Sequence, residues 1–313
     1  MAVHAPRELV ERLRIALAEG ALDVVTQSAN AMLPRANLRP PEPCRPVGND
    51  DGAHFDNGLV HAFVNRQGAV LELVTPHMRV PVSQANLLTR ARPMGFEVHD
   101  QGARVQFQIG KSPATMELEL RRGEPFLRVA LAVDWCERWR SLQLENWFAI
   151  AANAPRYGDG KRFAAISDER AGVAIFAVDP LGWDARALRK GGMHLTAELL
   201  RERGSAQLAW AFAPFEPGIS IGALEQAWEL FAYEPRVRLF TSEDPAIRVV
   251  ETTPAVDGDG VIVRVRECDG IERSLRLRCG ARMREVDGEA RIEGEAIIAD
   301  IGAFGERSFR VRF

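Results

Sequence analysis

The chain has 313 residues, 46% of them hydrophobic and 27% charged, with 40 Lys plus Arg against 43 Asp plus Glu and a net charge of −3. This length exceeds one small core and, at roughly 150 residues per domain, predicts two. With no basic surplus, neither nucleic acid nor an anionic membrane is an expected partner, and no apolar run approaches the roughly 20 residues of a membrane helix. The N-terminus, MAVHAPRELVERLRIALAEG, is charged and lacks the apolar core of a signal peptide, so a cytoplasmic chain is expected. Cys44, Cys136, Cys268 and Cys279 are far apart, without a CxxC pair or a His at zinc-site spacing, and read as unpaired thiols.

In chain order, Leu9, Leu13 and Leu17 recur every fourth residue up to Gly20, and Leu22, Val25, Ala29 and Leu33 repeat the pattern up to Pro34. Two short helices over residues 1–33 are predicted, each marginal alone and needing a surface for its apolar face. Residues 34–53 carry Pro34, Pro40, Pro41, Pro43 and Pro46 before Gly48-Asn49-Asp50-Asp51-Gly52, the composition of a stiff connector ending in a turn.

From Phe55 the period changes to two. Asp56-Asn57-Gly58 turns into LVHAFVN, Gln67-Gly68 into AVLELVT, and RVQFQI, TMELELR, FLRVALAV, RFAAIS, GVAIFAV, MHLTAELL and AQLAWAF follow as strand candidates. Arg128 to Asn146 contains a strand, a bend at Asp134-Trp135-Cys136-Glu137-Arg138-Trp139 and a second strand, and its two tryptophans make the bend a packed junction. Many short strands without βαβ alternation predict an antiparallel all-β domain, stacked in layers because open sheets rarely exceed about ten strands. Leu224, Trp228 and Phe231 share one helical face over 222–232, with Pro235 beyond. About eight short alternating strands then run to the C-terminus, enough for a small sandwich.

Several collinear stretches resemble the C-terminal half of the family 38 glycoside hydrolases, the zinc-dependent retaining α-mannosidases. Phe55-Asp56-Asn57-Gly58-Leu59-Val60 with Gly68 resembles its opening strand pair, and Arg128 to Leu142, with Asp134, Trp135 and Glu137, resembles its "R-V-D-W-x-E" junction. Ser167-Asp168 with Gly172 to Asp179, Gly182-Trp183-Asp184 with Leu195, Leu208 to Phe215, and Thr253 to Glu267 with Asp257-Gly258-Asp259-Gly260 are similar to further segments of that half. The resemblance implies a mutarotase-like β-supersandwich over 54–221 and a smaller β-sandwich over 236–313, and the helical segment over 222–235 reads as the hinge between them. The resemblance implies no cofactor here: the family's catalytic Asp and zinc ligands lie on an N-terminal barrel and the helical bundle that follows it, and no residue of this sequence matches them. The implied partners are a separate catalytic glycosidase subunit and mannosides.

The residues themselves supply candidates for chemistry. Asp134, Glu137 and Glu145 cluster around the bend, where glycoside hydrolysis would need two facing carboxylates; the plainer expectation is that Asp134 caps the turn and Glu137 pairs with Arg138 or Arg140. His4, His54, His61, His77, His99 and His194 form no metal-ligand spacing. An aldose epimerase would need a His and a Glu at one anomeric centre, which His194 with Glu145 or Glu198 could supply. Trp147, Tyr157 and Trp183 are candidates to stack on a sugar ring, with Asp184 beside Trp183 and Tyr233 as a further aromatic. Asp257-Gly258-Asp259-Gly260 reads as a hairpin turn, without the alternating ligands of a calcium loop. The expected function is the carbohydrate-associated β region of a glycosidase, the alternatives being a free-standing binding module or a mutarotase-like epimerase.

Overall fold

The computed structural model describes residues 42–313 apart from 139, 153, 190, 234–239, 257–258, 280–281 and the Pro254 side chain. The two helices expected over 1–33, most of the Pro-rich connector and Trp139 therefore lie outside the described residues. The all-β architecture is observed: four antiparallel sheets and one α-helix, Ile221–Ala232, among the described residues. No described helix is long and apolar enough to cross a membrane. The chain divides into two compact units, one of Pro41–Ile219 with Ala227–Ala232, the other containing Ser220–Gln226 and Tyr233–Phe313.

The larger unit stacks a nine-stranded sheet and an eight-stranded sheet. Across the first, the strands run Val47–Gly48, Gly52–Asp56, His61–Asn65, Val70–Val74, Val82–Leu88, Leu142–Phe148, Met193–Leu200 and Gly182–Ala187, with Arg79–Val80 on Val70–Val74. Across the second they run Arg156–Tyr157, Phe163–Ser167, Gly172–Ala177, Gly204–Phe215, Leu127–Trp135, Ser112–Leu120, Gly102–Ile109 and Ala91–His99. Leu127–Trp135 keeps its alternation: Val129, Leu131, Val133 and Trp135 are buried, and Ala130, Ala132 and Asp134 are exposed. Inward residues of both sheets, Phe55, Leu73, Leu142, Leu144 and Phe148 from one and Met116, Leu118, Trp210 and Phe212 from the other, form one core. Burial of each such side chain contributes roughly 1.5–3 kcal/mol.

Gly172–Ala177 is buried along its whole length, so a second layer must cover its far side. Phe126, Phe163, Phe176 and Phe231 meet there edge to face, with ring centroids 5.7 to 6.1 Å apart for the three T-shaped pairs. The Trp228 indole N–H donates to the Ala177 carbonyl at 2.7 Å. Arg128, ion-paired with buried Glu124 at 2.6 Å, donates to the carbonyls of Leu230 and Phe231, satisfying acceptors the helix leaves open at its C-terminus.

Several strand segments escaped the period-two reading, Gly182–Ala187 among them. Val82–Leu88 places polar Asn86 inside the core, and Ala91–His99 carries Pro93 and Gly95 at a register shift on an edge strand, the position where a sheet tolerates Pro.

In the smaller unit Phe240–Ser242, Arg273–Cys279, Ala296–Ile301 and Arg291–Glu293 make one sheet, and Ile247–Pro254, Val261–Glu267, Glu306–Arg312 and Glu285–Val286 the other. Their inward Val261, Val263, Val265, Leu275, Leu277, Ile297 and Phe309 form a separate core. Glu225 and Arg248, both largely buried, pair within this unit. Burial of the neighbouring Cys268 thiol pushes its pKa up to about 11, so it stays protonated.

Asn57 explains its motif. Its carboxamide oxygen accepts from the Leu59 and Val60 N–H groups at 2.9 and 2.8 Å, and its nitrogen donates to the carbonyls of Arg121 and Glu124 at 2.6 and 2.8 Å. Gly58 turns the chain with φ +81°, where a side chain would be strained. Asn57→Ala is expected to cost about 2 kcal/mol by orphaning these groups, read as a lower urea midpoint at unchanged slope.

Candidate functional site

The bend after Trp135 is a structural join. Ser205 donates its hydroxyl to Asp134 across the strand pair, Ser112 accepts from the Cys136 N–H at 2.9 Å, and Glu137 accepts from the Lys111 N–H at 2.7 Å. Glu137 thus caps the turn at Gly110-Lys111, in place of the expected pairing with Arg138 or Arg140. At the second hairpin Asp257 and Gly258 lie outside the described residues. Asp259 accepts from Arg310 through its carbonyl at 2.7 Å and from Arg312 through its carboxylate at 2.9 Å. Gly260 has φ +99°, and a side chain there would strike the Val311 carbonyl.

A different set of residues gathers on the face of the nine-stranded sheet turned away from the core. In Leu142–Phe148 the buried residues are Leu142, Leu144, Asn146 and Phe148, which leaves Gln143, Glu145 and Trp147 on the other side. Met193–Leu200 alternates in the same way and sets His194, Thr196 and Glu198 beside them. The register pairs Trp147 with His194, and their rings stack nearly parallel, 4.3 Å between centroids and 7° between planes. Thr89 donates to one Glu145 oxygen at 3.0 Å. The other is 3.8 Å from His194 Nε2, beyond hydrogen-bonding distance. Burial holds the His194 pKa below its ordinary value; the Glu145 and Asp184 charges raise it and Arg186 lowers it. The imidazole is therefore neutral at pH 7.

Asp184 is exposed on the adjoining strand and accepts from Arg186 at 3.1 Å. Tyr157, 38% exposed, belongs to the other sheet; burial and, after it, the Asp184 charge push its phenol pKa up. Trp183 has the opposite parity to Asp184. It is half-buried against the core with Leu181 and Ala185, and its indole donates to the Lys161 carbonyl at 2.8 Å. The ring expected to stack on a ligand instead braces the Asp184 strand. Tyr233 is exposed in the smaller unit.

The structure thus brings together Trp147, Asp184 and the His194–Glu145 pair. Thr89, Thr196 and Arg186 complete the group and were missed: the opposition of segments some fifty residues apart is a property of register, which no local pattern carries. A neutral imidazole, an indole, two carboxylates and hydroxyls suit hydroxyl-rich, weakly amphipathic ligands. Among the described residues no group of three or more His, Cys, Asp or Glu could hold a metal ion.

No family model matches the sequence, and neither does any curated protein. Solved structures do. An α-mannosidase from Enterococcus faecalis V583 superposes with a TM-score of 0.62 at 11% identity over 85% of this chain. A protein of glycosyl hydrolase family 38 from Enterococcus faecalis superposes at 0.58 with 10% identity over 82%. The chain spans 42% and 43% of those two proteins. At such identity the likeness is one of fold: this chain has the β architecture found within α-mannosidase structures.

Proposed function

We propose that the chain is the carbohydrate-associated β region of an α-mannosidase-like glycoside hydrolase, completing or buttressing a catalytic barrel carried elsewhere. The observation that carries this reading is the superposition of 85% of the chain on less than half of an α-mannosidase, joined to the motif resemblances at Asn57-Gly58 and Asp134-Trp135. Zinc, where the assembly uses it, would be held on that barrel. Sugar contact by this chain falls to Trp147, Asp184 and Tyr157, with Trp183 as their brace.

The test is to isolate the tagged full-length chain from its native lysate and to assay the complex beside the pure chain for zinc and for hydrolysis of an aryl α-mannoside. Zinc and activity in the complex alone are expected. Turnover by the pure chain, or an inert complex, would overturn the reading.

One observation favours a second reading, an aldose epimerase: His194 and Glu145, each about a quarter exposed, lie 3.8 Å apart on the sheet face turned away from the core. Polarimetry of a freshly dissolved aldose with the pure chain decides it. A binding module without a partner would bind glycans and co-isolate with no mannosidase.

A further inference from the structure

The register of three neighbouring strands sets out a grid on the face of the nine-stranded sheet turned away from the core. Glu145 pairs with Thr196, which pairs on its other side with Asp184; Trp147 pairs with His194, which pairs with Arg186. With neighbouring strands about 4.8 Å apart and about 3.4 Å per residue along each, the grid spans about 10 Å by 7 Å. Its floor is low at the centre of the first row, where Thr196 is the smallest of the six side chains, and its two ends are carboxylates. The second row is a wall of stacked rings, with His194 covering one face of Trp147.

We propose that this grid is a subsite for one uncharged pyranose. The sugar sits over Thr196, its hydroxyls donate to Glu145 at one end and Asp184 at the other, and its apolar C–H edge lies against the Trp147–His194 wall. The inference rests on the reading of this chain as carbohydrate-associated and gives that reading a ligand class and a place. The chemistry selects against acids. A uronate would meet the Glu145 and Asp184 carboxylates, and Arg186, the arginine of the grid, is engaged by Asp184 at 3.1 Å. One Glu145 oxygen is occupied by Thr89, which fixes the carboxylate and leaves its second oxygen for the ligand.

The experiment titrates the pure full-length chain with methyl α-D-mannopyranoside, methyl β-D-glucopyranoside and methyl β-D-glucuronide at millimolar concentrations, following indole N–H resonances by NMR. The Trp147 signal, assigned with Trp147→Phe, is expected to move with at least one neutral glycoside and not with the glucuronide. Thr196→Arg should fill the floor and abolish the shift. Glu145→Gln, nearly isosteric, should weaken binding about tenfold, the loss expected of one charge-assisted hydrogen bond. Melting curves confirm that both variants fold, and Glu145→Gln keeps the test decisive if Thr196→Arg does not. No shift with either neutral glycoside, a glucuronide that binds equally well, or unchanged binding in Glu145→Gln would overturn the subsite. Co-isolation of zinc-dependent mannosidase activity does not depend on Thr196 or Glu145, so failure here and failure of the broader reading give different results.

Discussion

Replacing Glu267 with Ala is expected to destabilise the C-terminal sandwich by about 4 kcal/mol, the cost of orphaning several buried donors together with a paired cation. Glu267 ends strand Val261–Glu267 and is fully buried. One of its oxygens accepts from the N–H groups of Gly270, Ile271 and Phe304 at 2.7, 3.2 and 2.9 Å. The other accepts from the Asp269 N–H at 2.9 Å and from Arg273 at 3.3 Å. One carboxylate thereby closes the loop at 268–271 and anchors the loop at 302–305, where Phe304 holds a left-handed φ of +51°. Glu267→Gln keeps the shape but turns an amide NH2 toward N–H groups, so it should recover only part of the loss.

The same site makes a pH prediction. Burial alone would raise the Glu267 pKa, but the N–H groups of Phe304, Asp269, Gly270 and Ile271 outweigh it and hold the carboxyl below its usual range. A depressed folded-state pKa contributes stability that is complete above the unfolded value of about 4.3 and is lost as pH falls from there through the folded value. The natural chain should therefore weaken on acidification below about pH 5, and Glu267→Gln should weaken less over the same window. All six tryptophans precede residue 229, so their fluorescence is the wrong probe. Amide hydrogen exchange in Val261–Glu267 and Glu306–Arg312 reads this unit directly. Unchanged protection of those strands in Glu267→Ala would show that the carboxylate does not hold the loops.

Much of the fold was legible because burial writes a period into sequence. Val129, Leu131 and Val133 alternate in the chain and in the core, and Leu224, Trp228 and Phe231 recur at helical spacing and are all buried. Where a core position is polar, that signal is lost: Asn86 and Asn146 are buried, and Asn86 hid the strand that contains it. The site was legible only in part. The apolar parity of Leu181, Trp183 and Ala185 already assigned Trp183 to the core side and Asp184 to the other, a local signal outweighed by the flanking turn residues. The stacking of His194 on Trp147 had no local signal, because it follows from pairing Leu142–Phe148 with Met193–Leu200 across a separation that only the folded sheet defines.

Asn86→Leu is expected to cost the larger unit about 4 kcal/mol, from strain added to lost hydrogen bonds. Asn86 is 1% exposed in strand Val82–Leu88 and has φ +64°, a conformation Asn tolerates and a branched apolar side chain does not. Its amide nitrogen donates to the Gly68 carbonyl at 2.7 Å, and its carbonyl oxygen accepts the Trp210 indole N–H at 2.8 Å. Its backbone N–H reaches the Asn146 side chain at 2.9 Å, and Asn146 in turn donates to the Leu195 carbonyl at 3.2 Å. Trp210 lies on the eight-stranded sheet and Asn86 on the nine-stranded one, so the indole bond crosses the sandwich and fixes how the layers face each other. Leucine would leave the Trp210 N–H and the Gly68 carbonyl buried without partners, at about 1–3 kcal/mol each, and add the left-handed strain. Asn86→Gly separates the two causes, since it accepts the backbone angle and loses only the bonds. Urea unfolding followed by tryptophan fluorescence should place the glycine variant between the leucine variant and the natural chain. Coincidence of the two variants would assign the whole effect to the hydrogen bonds, and a leucine variant as stable as the natural chain would mean that the network does not hold the layers together.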